Sequence, residues 1–148
     1  MKSRLFSLAL LLTISFTAIA QTSDVYQKDG IAINGYDAVA FFSEKMPVKG
    51  DQQFKYSYKN VDWLFSSPDN RELFKTSPEK YAPQYGGYCA FGTADGHKAS
   101  TQADTWTIVD DKLYFNYNLK VKDLWNKNMQ GYIDKADKNW PIVKDSKM

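Results

Sequence analysis

The chain has 148 residues, a single cysteine and nearly balanced charge, with 19 lysines and arginines against 17 aspartates and glutamates. That length supports one ordinary domain with a single hydrophobic core. A lone cysteine excludes an internal disulfide scaffold, and so even a charge balance gives no support to nucleic-acid binding through a counterion-releasing basic surface.

The first residues read as a secretory signal peptide. Lys2 and Arg4 form a basic head, Leu5 to Phe16 an apolar run, and Ala18-Ile19-Ala20 an A-x-A cleavage site. The apolar run is too short, and too promptly followed by polar Gln21-Thr22-Ser23-Asp24, for a spanning helix. The expectation is residues 1–20 as signal peptide, 21–148 as the mature domain, a periplasmic or secreted location and no membrane anchor after cleavage. Loss of Lys2 and Arg4 leaves 17 charges of each sign.

Along the mature chain, residues 21–30 read as a polar, loosely ordered lead-in, and Ile31-Ala32-Ile33 as a short apolar piece ended by the turn signal Asn34-Gly35. Ala38 to Phe42 is an apolar run of strand length, and Met46 to Gln53 reads as a loop. Phe54 to Tyr58 alternates ring and polar residue, and Val61 to Phe65 is a second strand across a Lys59-Asn60 hairpin turn. Ser67-Pro68 starts a helix with Leu73 and Phe74 on its apolar side, and Ser77-Pro78-Glu79 starts another. Tyr88 to Ala94 predicts a short helix closed by Gly96, and His97 to Asp104 a polar loop. Thr105 to Val109 and Leu113 to Tyr117 form a hairpin around Asp110-Asp111-Lys112. Asn118 caps a helix with Val121, Leu124 and Trp125 as its stripe, and a last helix around Tyr132 to Asn139 stops at Pro141. The sum is one α+β domain, an antiparallel sheet built from hairpins with several short helices.

The segment Tyr81 to Phe91 concentrates four aromatic rings, the pair Gly86-Gly87 and the sole cysteine, Cys89. The glycines permit backbone conformations and close approaches closed to other residues. Cys89 reads either as a ligand or thiol nucleophile, its pKa lowered if it lies in the first turn of a helix, or as a small buried apolar residue.

The ordered motifs Gly35-Tyr36-Asp37-Ala38-Val39-Ala40-Phe41-Phe42, Tyr56-Ser57-Tyr58 with Trp63-Leu64-Phe65-Ser66-Ser67, Asn70 to Phe74, Ser77 to Tyr81, Gly86 to Ala90 and Leu113 to Asn118 resemble the YHS-domain proteins of bacterial envelopes. The YHS domain also occurs in heavy-metal-transporting proteins as a small metal-binding module with paired cysteines. The resemblance implies a small secreted domain and metal handling. The metal-type cysteines fall here on Ser66 or Ser67 and on Asn70, and the family's histidine falls on Ser57. Serine and asparagine do not replace thiolates as ligands for soft metals.

The candidate metal ligands are therefore Cys89 and His97, the only histidine. Two donors fall short of a structural zinc site; copper(I), with Met46 or Met129 as a further soft donor, is the other ion weighed beside zinc. Candidate ligand-binding residues are Tyr36, Asp37, Tyr85, Tyr88 and Asn116: the rings and the amide of Tyr36, Tyr85, Tyr88 and Asn116 would line an aromatic-polar pocket. Asp37, after Asn34-Gly35, reads as a turn-stabilising Asx residue or as a ligand anchor. No catalytic residue is assigned, because no triad, phosphate loop or paired-acid motif is present, and a binding domain is favoured over an enzyme. Three readings stand: a secreted binding domain taking a metal ion or small ligand near Cys89, a thiol-dependent enzyme or redox protein, and a structural or protein-partner module with Cys89 buried.

Overall fold

The computed structural model describes residues 22–148; the signal-peptide expectation lies on residues outside that range. Four strands form one sheet: β1 (Gln27–Lys28), β2 (Ile31–Ala32), β3 (Asp51–Tyr58) and β4 (Val61–Phe65), in the order β1-β2-β4-β3. The β3–β4 hairpin turns on Lys59 and Asn60, both at positive φ, the conformation of the twist-matched two-residue hairpin turn. One pairing departs from an all-antiparallel sheet: β2 runs parallel to β4, with Ile31 opposite Asp62. A separate two-stranded hairpin, β5 (Thr107–Val109) and β6 (Lys112–Tyr114), is shorter than the sequence predicts.

The helices are short. Ala38 to Phe42 is not a strand; α1 covers Ala40–Ser43. The Asp37 carboxylate accepts the amides of Val39 and Ala40 at 2.9 and 3.2 Å, an Asx arrangement that turns the chain into a helical entry. The expected loop at Met46 to Gln53 gives way to β3 at Asp51. In α2 (Pro68–Thr76), the Ser67 side chain caps Asn70 as the sequence indicates, but only Phe74 is buried and Leu73 faces solvent. Then come α3 (Pro78–Tyr81), a 3-10 turn at Gln84–Gly87, and α4 (Ala90–Ala94). Asn118 caps α5 (Leu119–Asn126) by accepting the Val121 amide; Trp125 is its buried residue, while Leu124 is exposed.

The last helix, α6, spans Met129–Val143 and runs through Pro141. A proline inside a helix costs about 3 kcal/mol. Burial of Val143 and a lysine cap on the terminal carbonyls hold the helix past it. Lys98 Nζ donates to the carbonyls of Lys144 and Ser146 at 2.6 and 2.9 Å, and to that of Ser23 at 3.0 Å.

Two cores share β6 as a wall. Leu113 and, one residue past the strand, Phe115 face a core with Phe41, Trp63, Phe65 and Phe74, whereas Tyr114 between them faces a second core with Tyr85, Trp125 and Ile133. The strand's alternation of side chains produces this split. The lead-in is not loose: Val25 and Tyr26 are buried, and the Tyr26 amide donates to the Gly86 carbonyl at 2.9 Å. No helix among the described residues is long and apolar enough to cross a membrane.

Candidate functional site

Asp37 is fully buried, and its carboxylate accepts five hydrogen bonds. Besides the α1 amides, these come from the Ser66 amide (2.8 Å), the Ser66 hydroxyl (2.7 Å) and the Asn70 side chain (2.8 Å). A buried carboxylate is tolerable when donors satisfy it in this way. Of the positions the resemblance gives to the metal-type cysteines, Ser66 or Ser67 and roughly Asn70, Ser66 and Asn70 thus close on an internal acid, while Ser67 caps α2. Asp37 acts as an Asx residue and offers no free lone pair toward a ligand.

Cys89 is the N-cap of α4 and only 1% exposed. Its sulfur accepts the Gly92 amide at 3.4 Å, and its S–H donates to Asn116 Oδ1 at 3.6 Å. Burial pushes the thiol above its ordinary range, against a weaker downward pull from the amides of Gly92, Tyr117 and Phe91. Desolvation therefore outweighs the helix entry, and the site favours the thiol over a thiolate. Asn116 is fully buried, and Oδ1 also accepts the Phe91 amide at 3.2 Å. These two donors fix the amide orientation, and Asn116 Nδ2 is left without a partner among the described residues.

His97 is exposed, with Nδ1 3.7 Å from the Asp95 carboxylate. Its ring lies over Gly92, where an added Cβ would come within 3.4 Å of Nε2. Met46 is half exposed, and Met129 packs on the second core. Among the described residues no group of three histidine, cysteine or acidic side chains is arranged to hold a metal ion. The residues do not fit a family-type metal centre: its cysteine positions are taken by the Asp37 network, and the remaining thiol is buried as a hydrogen-bond donor.

The expected pocket of Tyr36, Tyr85, Tyr88 and Asn116 does not assemble, because each side chain is engaged by a different part of the chain. Tyr36 lies under Lys49, whose Nζ is 4.0 Å from the ring centre. Tyr85 donates to Asp137 of α6 at 2.8 Å, Tyr88 to the Ser23 carbonyl at 2.9 Å, and Asn116 serves α4. Burial pushes both phenols above their ordinary range, with the Asp137 carboxylate adding to the rise at Tyr85.

The Tyr81 to Phe91 segment does wall a cleft, however. Residues 82–86 form one side of a depression of about 290 Å³, faced by Asp24, by Tyr58 and Lys59 at the hairpin tip, and by Trp140 and Lys144 of α6. Tyr85, Gly86 and Gly87 all sit at positive φ. An added Cβ at Gly86 would lie 1.7 Å from the Asp24 carbonyl oxygen, so glycine is what lets the N-terminal segment seat there. Tyr85 holds a conformation that costs a non-glycine residue on the order of 1 kcal/mol or more. Trp140 packs on both Tyr85 and Tyr88, at 5.9 and 6.3 Å between ring centres. Sequence reasoning singled out Tyr85 but missed Trp140, Lys59 and Lys144, which carry no local signal that they meet.

The fold and this site define a small single-domain α+β protein with a surface cleft. Residues 39–85 match the family model of the YHS domain, consistent with a YHS domain-containing protein. The match runs from the entry of α1 to Tyr85, so Asp37, Cys89, His97 and Asn116 lie outside it, and it is narrower than the span of resembling motifs. No curated protein and no solved structure matches the chain.

Proposed function

We propose that this chain is an extracytoplasmic YHS-domain binding protein, which takes a small ligand in the cleft walled by residues 82–86 and uses Cys89 as packing. One observation carries the reading. Of the residues where the resemblance puts the metal-type cysteines, Ser66 or Ser67 and roughly Asn70, Ser66 and Asn70 are committed to the buried carboxylate of Asp37 and Ser67 to capping α2. A soft cation would find oxygen and amide donors already in use there. The buried Cys89 thiol, pushed upward by desolvation, supports packing over nucleophilic or redox chemistry at that sulfur. The location rests on the basic head, apolar run and A-x-A site of residues 1–20.

Alkylation with iodoacetamide tests it, on native protein and in urea, alongside copper and zinc titration of wild type and Cys89→Ala. The expected outcome is a thiol that reacts only on unfolding, and no stoichiometric metal uptake that depends on Cys89. Rapid native alkylation, or metal binding abolished in Cys89→Ala, would return the function to the thiol.

A further inference from the structure

The cleft gathers residues that are far apart in the chain: Asp24 from the N-terminal segment, Lys59 from the hairpin tip, Glu79 and Gln84 from around α3, and Lys144 beyond Trp140 at the end of α6. Among the described residues, Asp24, Lys59, Glu79 and Lys144 form no ion pair with any neighbour. Two cations and two anions around one depression cancel, so the rim gives no net field to steer a phosphate, a polyanion or a polycation. An apolar ligand would strip water from four ionised groups with nothing to replace it, which is costly for each. The remaining partner carries no net charge: a zwitterion, which the glycine arm of the test below addresses, or an uncharged molecule rich in groups that both donate and accept.

Hydroxyls meet that need, since one hydroxyl donates to a carboxylate while another accepts from an ammonium or a glutamine amide. Lys59 Nζ stands 5.5 Å from the ring centre of Tyr58, so the half-buried ring of Trp140 supplies the second requirement, an apolar surface for the C–H face of a sugar ring. The space also fits. A neighbouring depression of about 400 Å³ shares Asp24 and Lys59 with the cleft and adds the polar side chains of Gln27 and Asn60. Ligands commonly occupy about 300 Å³ upward, so the two compartments together accommodate more than one sugar ring. The strained backbone at Tyr85 lies in the wall of this cleft, and such outliers cluster at binding sites.

We propose that the cleft binds a neutral saccharide of two or more rings, an assignment that rests on the reading of this cleft as the ligand site. The test titrates the purified chain with cellobiose, maltose and diacetylchitobiose, and separately with sodium phosphate, glycine and phenol, following backbone amide NMR shifts. The expected result is saturable movement of the amides of Lys59 and residues 84–86 with at least one disaccharide. Glu79→Gln and Gln84→Ala, both at solvent-accessible rim positions, should each weaken that binding about tenfold with an unchanged unfolding midpoint. Movement caused by phosphate, glycine or phenol but by no disaccharide overturns the saccharide assignment and leaves the cleft as the binding site. If none of the six probes moves those amides, both readings fall. Disaccharide binding that both variants leave intact overturns the proposed rim contacts and with them the assignment.

Discussion

Asn70 donates its side-chain amide to the carboxylate of Asp37 at 2.8 Å, tying the first turn of α2 to the entry of α1 across 33 residues. Ser66 adds its amide and hydroxyl to the same oxygen. Removing the acceptor by Asp37→Ala leaves these donors buried without a partner and should cost about 3 kcal/mol. Asp37→Asn should rescue little, because its NH2 group would face donors. Urea unfolding midpoints at constant m-value check both variants.

Gly86→Ala should be among the most damaging single-methyl additions to the domain. The new Cβ meets the Asp24 carbonyl at 1.7 Å, and the residue sits at φ +62°. Backbone must move, and a loss of about 3 kcal/mol is expected. Gly96 is the control: its φ is +90°, but nothing lies within 4 Å of an added Cβ, so Gly96→Ala should cost only about 1 kcal/mol. Limited proteolysis should cut Gly86→Ala first within residues 22–30, where the segment loses its seat.

Lys98→Met should loosen the segment around Ser23 and the end of α6 together. Its ammonium donates to the carbonyls of Ser23, Lys144 and Ser146 and lies 5.0 Å from the ring centre of Tyr88. Methionine keeps much of the stem but leaves the carbonyls of Lys144 and Ser146 without a donor and that of Ser23 with the Tyr88 hydroxyl alone, at an expected cost of about 2 kcal/mol. Hydrogen exchange should quicken at the end of α6 and near Ser23, with little change at β3 and β4.

Alkaline pH should unfold the domain through its buried phenols. Desolvation pushes Tyr85, Tyr88 and Tyr114 upward, Tyr114 to about 12. A group whose folded pKa is raised contributes fully below its unfolded value, about 10 for tyrosine, and that contribution fades as pH climbs through the folded value. Stability should therefore fall from about pH 10 upward. Lys98 opposes this slope, since burial lowers its folded pKa and the unfolded chain then holds more protons as that group titrates. Tyrosine absorbance should show a delayed step that coincides with loss of near-ultraviolet circular dichroism, and the step should shrink in Tyr85→Phe.

Features governed by nearest neighbours were legible in the chain. Ser67 before Pro68 and Asn118 before Leu119 cap helices, and Lys59-Asn60 makes the hairpin turn, because caps and tight turns are settled by hydrogen bonds within about four residues. Ala38 to Phe42 misled for a related reason. A run of five apolar residues has the burial of a core strand, and only the Asp37 side chain decides that it coils into α1. Pro141 misled in the opposite sense: its local cost is real, but the distant Lys98 and the burial of Val143 outweigh it.

The sequence by itself determined an α+β domain, a match to the YHS family model over residues 39–85 and a cysteine without a disulfide partner. Tertiary structure alone decided what that cysteine and the residues around it do. Whether Cys89 was a thiolate or a packed thiol depended on its burial, with Phe115 bridging its backbone and Asn116 accepting its S–H from more than twenty residues away in the chain. The cleft depended on Asp24, Lys59, residues 82–86 and Trp140 arriving at one place. Burial and convergence are sums over contacts between distant residues, and no local pattern of residue types encodes which distant surfaces will meet.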